Sequence, residues 1–128
     1  MIRKILIVDD EPLIALALAE DLEDQGYSTC LASDAADAIA ILESNGDISI
    51  VFTDIDMPGS MDGLALASAV RNRWPPVEIL ITTGQTKPEL NDMPDRSLFI
   101  SKPYTVPQIV GAIKSFPGWS TTHDLSTR

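Results

Sequence analysis

Little in this chain is basic, sulfurous or aromatic. Of 128 residues, nine are Lys or Arg against 19 Asp or Glu, a formal charge of −10. Such a field repels phosphate backbones and anionic lipid heads, so neither nucleic acid nor a membrane surface is expected as a partner. A single cysteine, Cys30, excludes an internal disulfide and a thiolate metal cluster. Aromatics amount to 5% of the residues. No apolar stretch approaches the ~20 residues of a bilayer-spanning helix. The N-terminal apolar segment is too short for a signal peptide, which makes the cytoplasm the expected compartment.

Dense apolar runs are present, each halted by turn or charged residues, in a length suited to one domain. Ile5-Leu6-Ile7-Val8 is continuous rather than alternating, which predicts a strand covered on both faces, stopped by Asp9-Asp10-Glu11. Pro12 suits the first turn of a helix whose stripe would be Ile14, Leu18 and Leu22, with Gly26 ending it. A second strand is expected over Tyr27–Leu31. A second helix follows, capped by Asp34, with Ala35, Ala38, Ile39 and Leu42 inward. The third strand, Ile48–Thr53, halts at Asp54. After a loop, a helix through Leu64, Ala67, Ala69 and Val70 runs to Trp74, where Pro75-Pro76 breaks it. Val77–Ile81 and Leu98–Ile100 read as the fourth and fifth strands, and Val106–Ser115 as the last helix. Between those strands, Thr86–Asp95 carries Pro88 and Pro94 and has no apolar stripe, so any helix there is expected to be short or frayed.

Alternation of strand and helix through short connections predicts an α/β fold, a doubly wound five-stranded parallel sheet. Ligands of such sheets sit beyond the carboxyl ends of the strands. There the sequence puts Asp9 and Asp10, Asp54, Thr83, and Lys102. Two like charges about 4 Å apart repel by ~4 kcal/mol at an effective dielectric near 20, so three carboxylates together call for a cation. A hard divalent ion with oxygen ligands, Mg²⁺ for preference, is the expected cofactor. A carboxylate with that ion can take a phosphoryl group as an acyl phosphate.

Asp9-Asp10, then Asp54 with Met57-Pro58 following, then Thr83-Gly84 and Lys102-Pro103, all in order at strand ends, resemble the receiver domain of two-component response regulators, similar to the stand-alone chemotaxis type. The resemblance spans about residues 3–116. It implies a flavodoxin-like (βα)5 sheet of order 2-1-3-4-5, with a receiver over 1–118 and a polar tail over 119–128. It makes Asp54 the phosphoacceptor, supplied by a histidine kinase or a histidine phosphotransfer protein. Asp10 and Asp54 would bind Mg²⁺ directly, joined by the Asp56 backbone carbonyl, with Asp9 acting through water. Thr83 and Lys102 would contact the phosphoryl group, and Phe99 holds the aromatic switch position. Asp56 and Gln85 occupy positions that tune hydrolysis. The resemblance also implies a cis Lys102-Pro103 bond, a state of only about 5–6% of X-Pro bonds. Leu13 and Leu16 are expected to offer apolar surface near the acidic edge for docking a kinase or phosphotransfer protein. With no output domain in view, a separate downstream protein is expected to read the signal, and the domain is not expected to be an enzyme beyond transferring and slowly losing its own phosphoryl group.

Two departures stand out: the loop Pro58-Gly59-Ser60-Met61-Asp62-Gly63 is one residue longer than usual, and Phe99 has no hydroxyl for switching. Two other functions remain compatible with the residues. Asp54-Ile55-Asp56 after an apolar strand also mimics the nucleophile motif of haloacid-dehalogenase-type phosphatases, although there the nucleophile strand comes first and the paired acids last. A binding module independent of phosphorylation is the other.

Overall fold

The computed structural model describes residues 4–55, 62–84 and 93–116. Five strands, β1 (Lys4–Val8), β2 (Ser28–Ala32), β3 (Ile48–Asp54), β4 (Glu78–Thr83) and β5 (Ser97–Ser101), form one parallel sheet of order β2-β1-β3-β4-β5. Four helices lie among the described residues: α1 (Pro12–Asp24), α2 (Ala35–Ser44), α3 (Gly63–Arg73) and α4 (Val106–Ser115). None is long and apolar enough to cross a membrane.

The central strands are apolar on both sides because each side is covered. Leu6, Val8, Val51, Ile79 and Ile81 pack with Leu42 of α2 and with Leu66 and Val70 of α3. Their neighbours Ile5, Ile7, Ile50, Phe52 and Leu80 pack with Leu18 and Leu22 of α1 and with Ile109 and Ile113 of α4. This two-sided burial is why the strands read as continuous runs rather than alternating ones. Cys30 is half-buried against the first of these clusters, where burial pushes its thiol up.

The helix ends follow local chemistry. Asp34 caps α2 by accepting from the Asp37 N–H at 2.8 Å, and Asp62 caps α3 by accepting from Ala65 at 2.9 Å. Thr105 and Gln108 form a reciprocal capping box on α4. Helix α1 starts at Pro12 and ends before Gly26, whose φ of +97° turns the chain into β2. Its buried face is Ala15, Leu18, Ala19 and Leu22, so Leu18 and Leu22 turn inward as expected while Ile14 is 41% exposed. The small alanines take the inward places beside the two leucines, which shifts the stripe away from Ile14. Strand β2 likewise begins one residue later than expected, after Tyr27. Leu66 is fully buried on α3, where Leu64 is only partly so. The segment expected as a poor helix lies mostly outside the described residues, as do the extended loop's Gly59 and the tail from residue 117 onward.

Candidate functional site

Parallel strands end together, and the order β1-β3-β4-β5 brings their carboxyl ends side by side. Asp9 follows β1 directly, Asp54 ends β3, Thr83 ends β4 and Lys102 follows β5. In the ladder Val8 lies opposite Thr53, Asp54 opposite Thr82, and Thr82 opposite Ile100. Asp9, Asp54 and Thr82 therefore form a row across the sheet, with Thr83 one residue farther along. Asp9 and Asp54 are 6% and 5% exposed, and Thr83 is also buried.

Backbone bonds fix this edge. The Asp9 N–H donates to the Ala32 carbonyl (3.1 Å), Ile55 to Thr82 (2.8 Å), and Lys102 to Thr83 (3.0 Å). Gly63, the first residue of α3, donates to the Ile55 carbonyl at 3.1 Å. It approaches so closely that a Cβ there would lie 2.1 Å from the Asp54 carbonyl oxygen. Only glycine lets α3 begin against the backbone that carries Asp54. The Lys102-Pro103 bond is cis, as the resemblance implied.

The ammonium of Lys102 donates to Asp54 Oδ2 at 2.5 Å. Burial alone would lower the Lys102 pKa, but the bond to Asp54 and the charges of Asp54, Asp9 and Tyr104 outweigh it and raise it, so the side chain is cationic at neutral pH. Asp9 is pushed above the ordinary carboxylate value, first by burial and further by the charges of Asp54 and Asp10. A bond from the Glu11 N–H to Asp9 Oδ1 (2.9 Å) and the charge of Lys102 oppose that rise without cancelling it.

Among the described residues, no group of three His, Cys, Asp or Glu side chains is arranged to hold a metal ion. The side chain of Asp10 faces solvent and Asp54 is engaged by Lys102. The donors nonetheless fit a hard divalent ion. Magnesium keeps several waters and needs only one or two carboxylates, and the buried, mutually repelling pair Asp9 and Asp54 is where an added cation is stabilising. Asp56, expected to lend its carbonyl, and Gln85 lie outside the described residues.

Phe99 sits in the middle of β5, half-buried against the α2–α3 side of the core. Leu13 and Leu16 are 81% and 47% exposed on α1. Three residues of this edge were given no role from the sequence. Gly63 supports the Asp54 backbone. Thr82 lies level with Asp54. Tyr104 packs its ring edge against Phe52 (centroids 5.6 Å apart, 68° between planes), and its phenol is pushed up by burial and by the charge of Asp9. The signal for Tyr104 was its place two residues after Lys102, where the chain still borders the acidic edge.

Comparison with known proteins agrees with this geometry. The family model described as the response regulator receiver domain matches residues 5–114. The nitrogen assimilation regulatory protein NtrX of Azorhizobium caulinodans is 40% identical over 85 residues, which are 66% of this chain and 18% of that protein. The chain thus spans less than a fifth of the curated relatives it matches. A response regulator receiver protein from Sinorhizobium medicae superposes with a TM-score of 0.82 at 30% identity, covering 88% of this chain and 92% of the other. The response regulator protein TrrA of Thermotoga maritima, solved in complex with Mg²⁺ and BeF, gives a TM-score of 0.77 at 27% identity over 88% of this chain and 97% of its own. Receiver domains as a class bind Mg²⁺ and work between histidine kinases and downstream effectors. With a parallel 2-1-3-4-5 sheet, acids and a lysine gathered at its carboxyl edge, and a family match over nearly its whole length, the chain belongs to the response regulator receiver domain family.

Proposed function

We propose that Asp54 is the phosphoacceptor of this receiver domain and takes its phosphoryl group from a phosphohistidine on a histidine kinase or a histidine phosphotransfer protein. The observation that carries the reading is the buried Asp54 carboxylate at the end of a central strand, paired with Lys102 and flanked by Asp9. An Asp54 oxygen forms a bond to phosphorus while the P–N bond of the donor breaks. The electron pair leaves on the imidazole nitrogen, which takes up one proton. When bound, Mg²⁺ neutralises charge on the phosphoryl oxygens, and Asp10, Asp54 and the Asp56 carbonyl would hold it, with Asp9 through water.

The chain's own groups do the rest. Lys102, held cationic, moves its hydrogen bond from Asp54 to a phosphoryl oxygen. Thr83, one residue beyond the level of Asp54, suits a hydroxyl donor to a group that projects past the carboxylate. Phe99 carries no hydroxyl, so its part in switching is ring packing at the edge strand β5. Asp56 and Gln85 would tune hydrolysis. Leu13 and Leu16, exposed on α1 close to the acidic edge, would dock the phosphoryl donor, and a separate target protein would read the phosphorylated face. The chemistry is self-phosphorylation with slow hydrolysis, not turnover of an outside substrate. Membership in a signalling family weighs against the phosphatase reading, and the Lys102–Asp54 pair favours a phosphorylated receiver over a phosphorylation-independent module.

Incubation with acetyl phosphate and Mg²⁺ is expected to label the protein to about one phosphoryl group per chain, as read by intact mass. Asp54→Ala is expected to abolish labelling while the far-UV circular dichroism stays unchanged. Label that persists in Asp54→Ala, or that forms equally well in EDTA, overturns the proposal.

A further inference from the structure

Helices α1 and α4 lie side by side on one face of the sheet and share Leu18, Leu22, Ile109 and Ile113 in the core. Outside that contact the two helices part and leave a groove of about 560 Å³, a volume in the range of small-ligand pockets. Among the described residues, α1 lines it with two acids, Asp21 and Asp24. Helix α4 lines it with the apolar Val106 and Val110, with Gly111, and with Lys114 a turn farther on. Gly111 is the odd member. It is the one glycine in a helix interior among the described residues, a place where glycine is less favourable than alanine. Nothing described lies within 4 Å of the Cβ it lacks, and its φ is outside the left-handed region. Neither close packing nor backbone geometry accounts for it. What the missing side chain does is keep the groove clear.

The chain after α4 starts beside that groove. Phe116, two residues beyond Lys114, is buried in the same cluster as Leu22, and its φ of −71° and ψ of 143° are the extended geometry favoured before proline. Residues 117–128 lie outside the described residues, and their sequence opens Pro117-Gly118-Trp119. Phe116-Pro117-Gly118-Trp119 thus has proline and glycine in the second and third places of a type II turn. Such a turn reverses the chain and brings its fourth Cα within about 7 Å of its first. Gly111, five helical residues before Phe116, is only about 7.5 Å back along α4. Trp119 is then within reach of the groove, and it and Leu125 are the only large apolar side chains of the segment. With one acid, Asp124, and one base, Arg128, the segment meets no net repulsion from Asp21 and Asp24.

We infer that Trp119 of this same chain docks in the groove between α1 and α4, its ring over Val110 and the bare Gly111 and its indole N–H directed to Asp21 or Asp24. An indole suits those walls: its face is apolar, and its one polar atom only donates, which a carboxylate accepts. The docked ring ties α4 to the last turns of α1, at the opposite end of that helix from Leu13 and Leu16. The surface proposed to receive the phosphoryl donor therefore stays open, and the inference stands apart from the phosphoacceptor reading.

Fluorescence tests it on the full 128-residue chain carrying Trp74→Phe, which leaves Trp119 as the single tryptophan. Its emission is expected to lie to the blue of the same chain in urea. Quenching by acrylamide, a neutral probe indifferent to the charge of −10, is expected to be about 5-fold weaker than in urea, the protection of a buried aromatic ring. Gly111→Leu in that background fills the groove. It is expected to return quenching to within about 2-fold of the urea value, since the ring is then exposed, with the far-UV circular dichroism unchanged. If Gly111→Leu does not fold, magnetic resonance contacts between the Trp119 indole and the Val110 methyls of the unaltered chain decide in its place, and their absence overturns the inference. Strong quenching in the folded Trp74→Phe chain overturns it too, as does protection that survives Gly111→Leu. Protection lost on dilution of the protein also overturns it, since the groove then belongs to a second copy of the chain.

Discussion

The two ends of this sheet solve opposite problems. At the amino edge, Arg71 of α3 donates to four backbone carbonyls: Pro75 (2.7 Å) and Val77 (2.9 Å) in the turn before β4, and Asp95 (2.8 Å) and Arg96 (3.2 Å) in the turn before β5. Arg96, at a φ of +59°, adds a guanidinium bond to Pro75. Nearby, Lys4 pairs with Asp47 at 3.3 Å, and Arg73 pairs with Glu43 at 2.7 Å while lying over the Trp74 ring. These groups find partners of opposite charge or fitting dipole. At the carboxyl edge, buried carboxylates crowd one another, Lys102 offsets them by pairing with Asp54, and the buried Thr82 hydroxyl has no hydrogen-bond partner among the described residues. One edge holds the loops together. The other keeps unfavourable interactions in place, which suits the phosphoryl acceptance proposed for this edge.

That contrast can be broken most forcefully at Gly63. Gly63→Ala sets a methyl 2.1 Å from the Asp54 carbonyl oxygen and 2.7 Å from the Ile55 Cα, both backbone atoms that cannot swing aside. Urea denaturation is expected to show a loss of about 3 kcal/mol or more. Gly46→Ala, where nothing lies within 4 Å, is expected to change stability by under about 0.5 kcal/mol. Comparable losses at both positions would mean that the close approach of α3 to the site is not what Gly63 serves.

A smaller effect separates the edges. Arg71→Met removes the fork but leaves carbonyls that water can partly reach, so a loss of about 1–2 kcal/mol is expected in the same measurement. Labelling by acetyl phosphate should be unchanged within about 2-fold. A markedly slower labelling would show that the amino edge sets the geometry of the site as well as its stability.

The smallest effect probes the strain at the carboxyl edge. Because burial raises the Asp9 pKa, the folded protein holds that proton more tightly than the unfolded chain does. Ionised Asp9 is therefore a cost that is absent below the ordinary value of 3.8 and grows as pH rises toward the folded value. Asp9→Asn keeps an oxygen for the Glu11 N–H and removes the charge. In metal-free buffer at pH 7 it is expected to raise stability by no more than about 1 kcal/mol, and the gain should vanish as pH falls toward 4. A gain that persists at pH 4, or a loss at pH 7, would show that Asp9 is not under electrostatic strain.

Much of this architecture was legible in the chain because its signals are local. Continuous β-branched runs marked the strands, Asp34 and Pro12 marked helix starts, and the last helix takes the expected span Val106–Ser115. Acids and a lysine at successive strand ends pointed to the chemistry, since a parallel sheet sends all its carboxyl ends to one edge. Packing depth was less legible: Ile14 matches the helical period of Leu18 and Leu22 yet lies on the outer shoulder of α1, where the inner places go to Ala15 and Ala19.

What the sequence determined by itself is the order of the elements and the residue types at their ends, because strand runs, caps and turn residues act over a few positions. Tertiary structure alone decided that Gly63 abuts the Asp54 backbone, that Tyr104 borders Asp9, and that Thr82 rather than Thr83 stands level with the carboxylate. Those relations depend on register and approach between segments far apart in the chain. A shift of one residue reverses which face a side chain takes, and no local pattern records that choice.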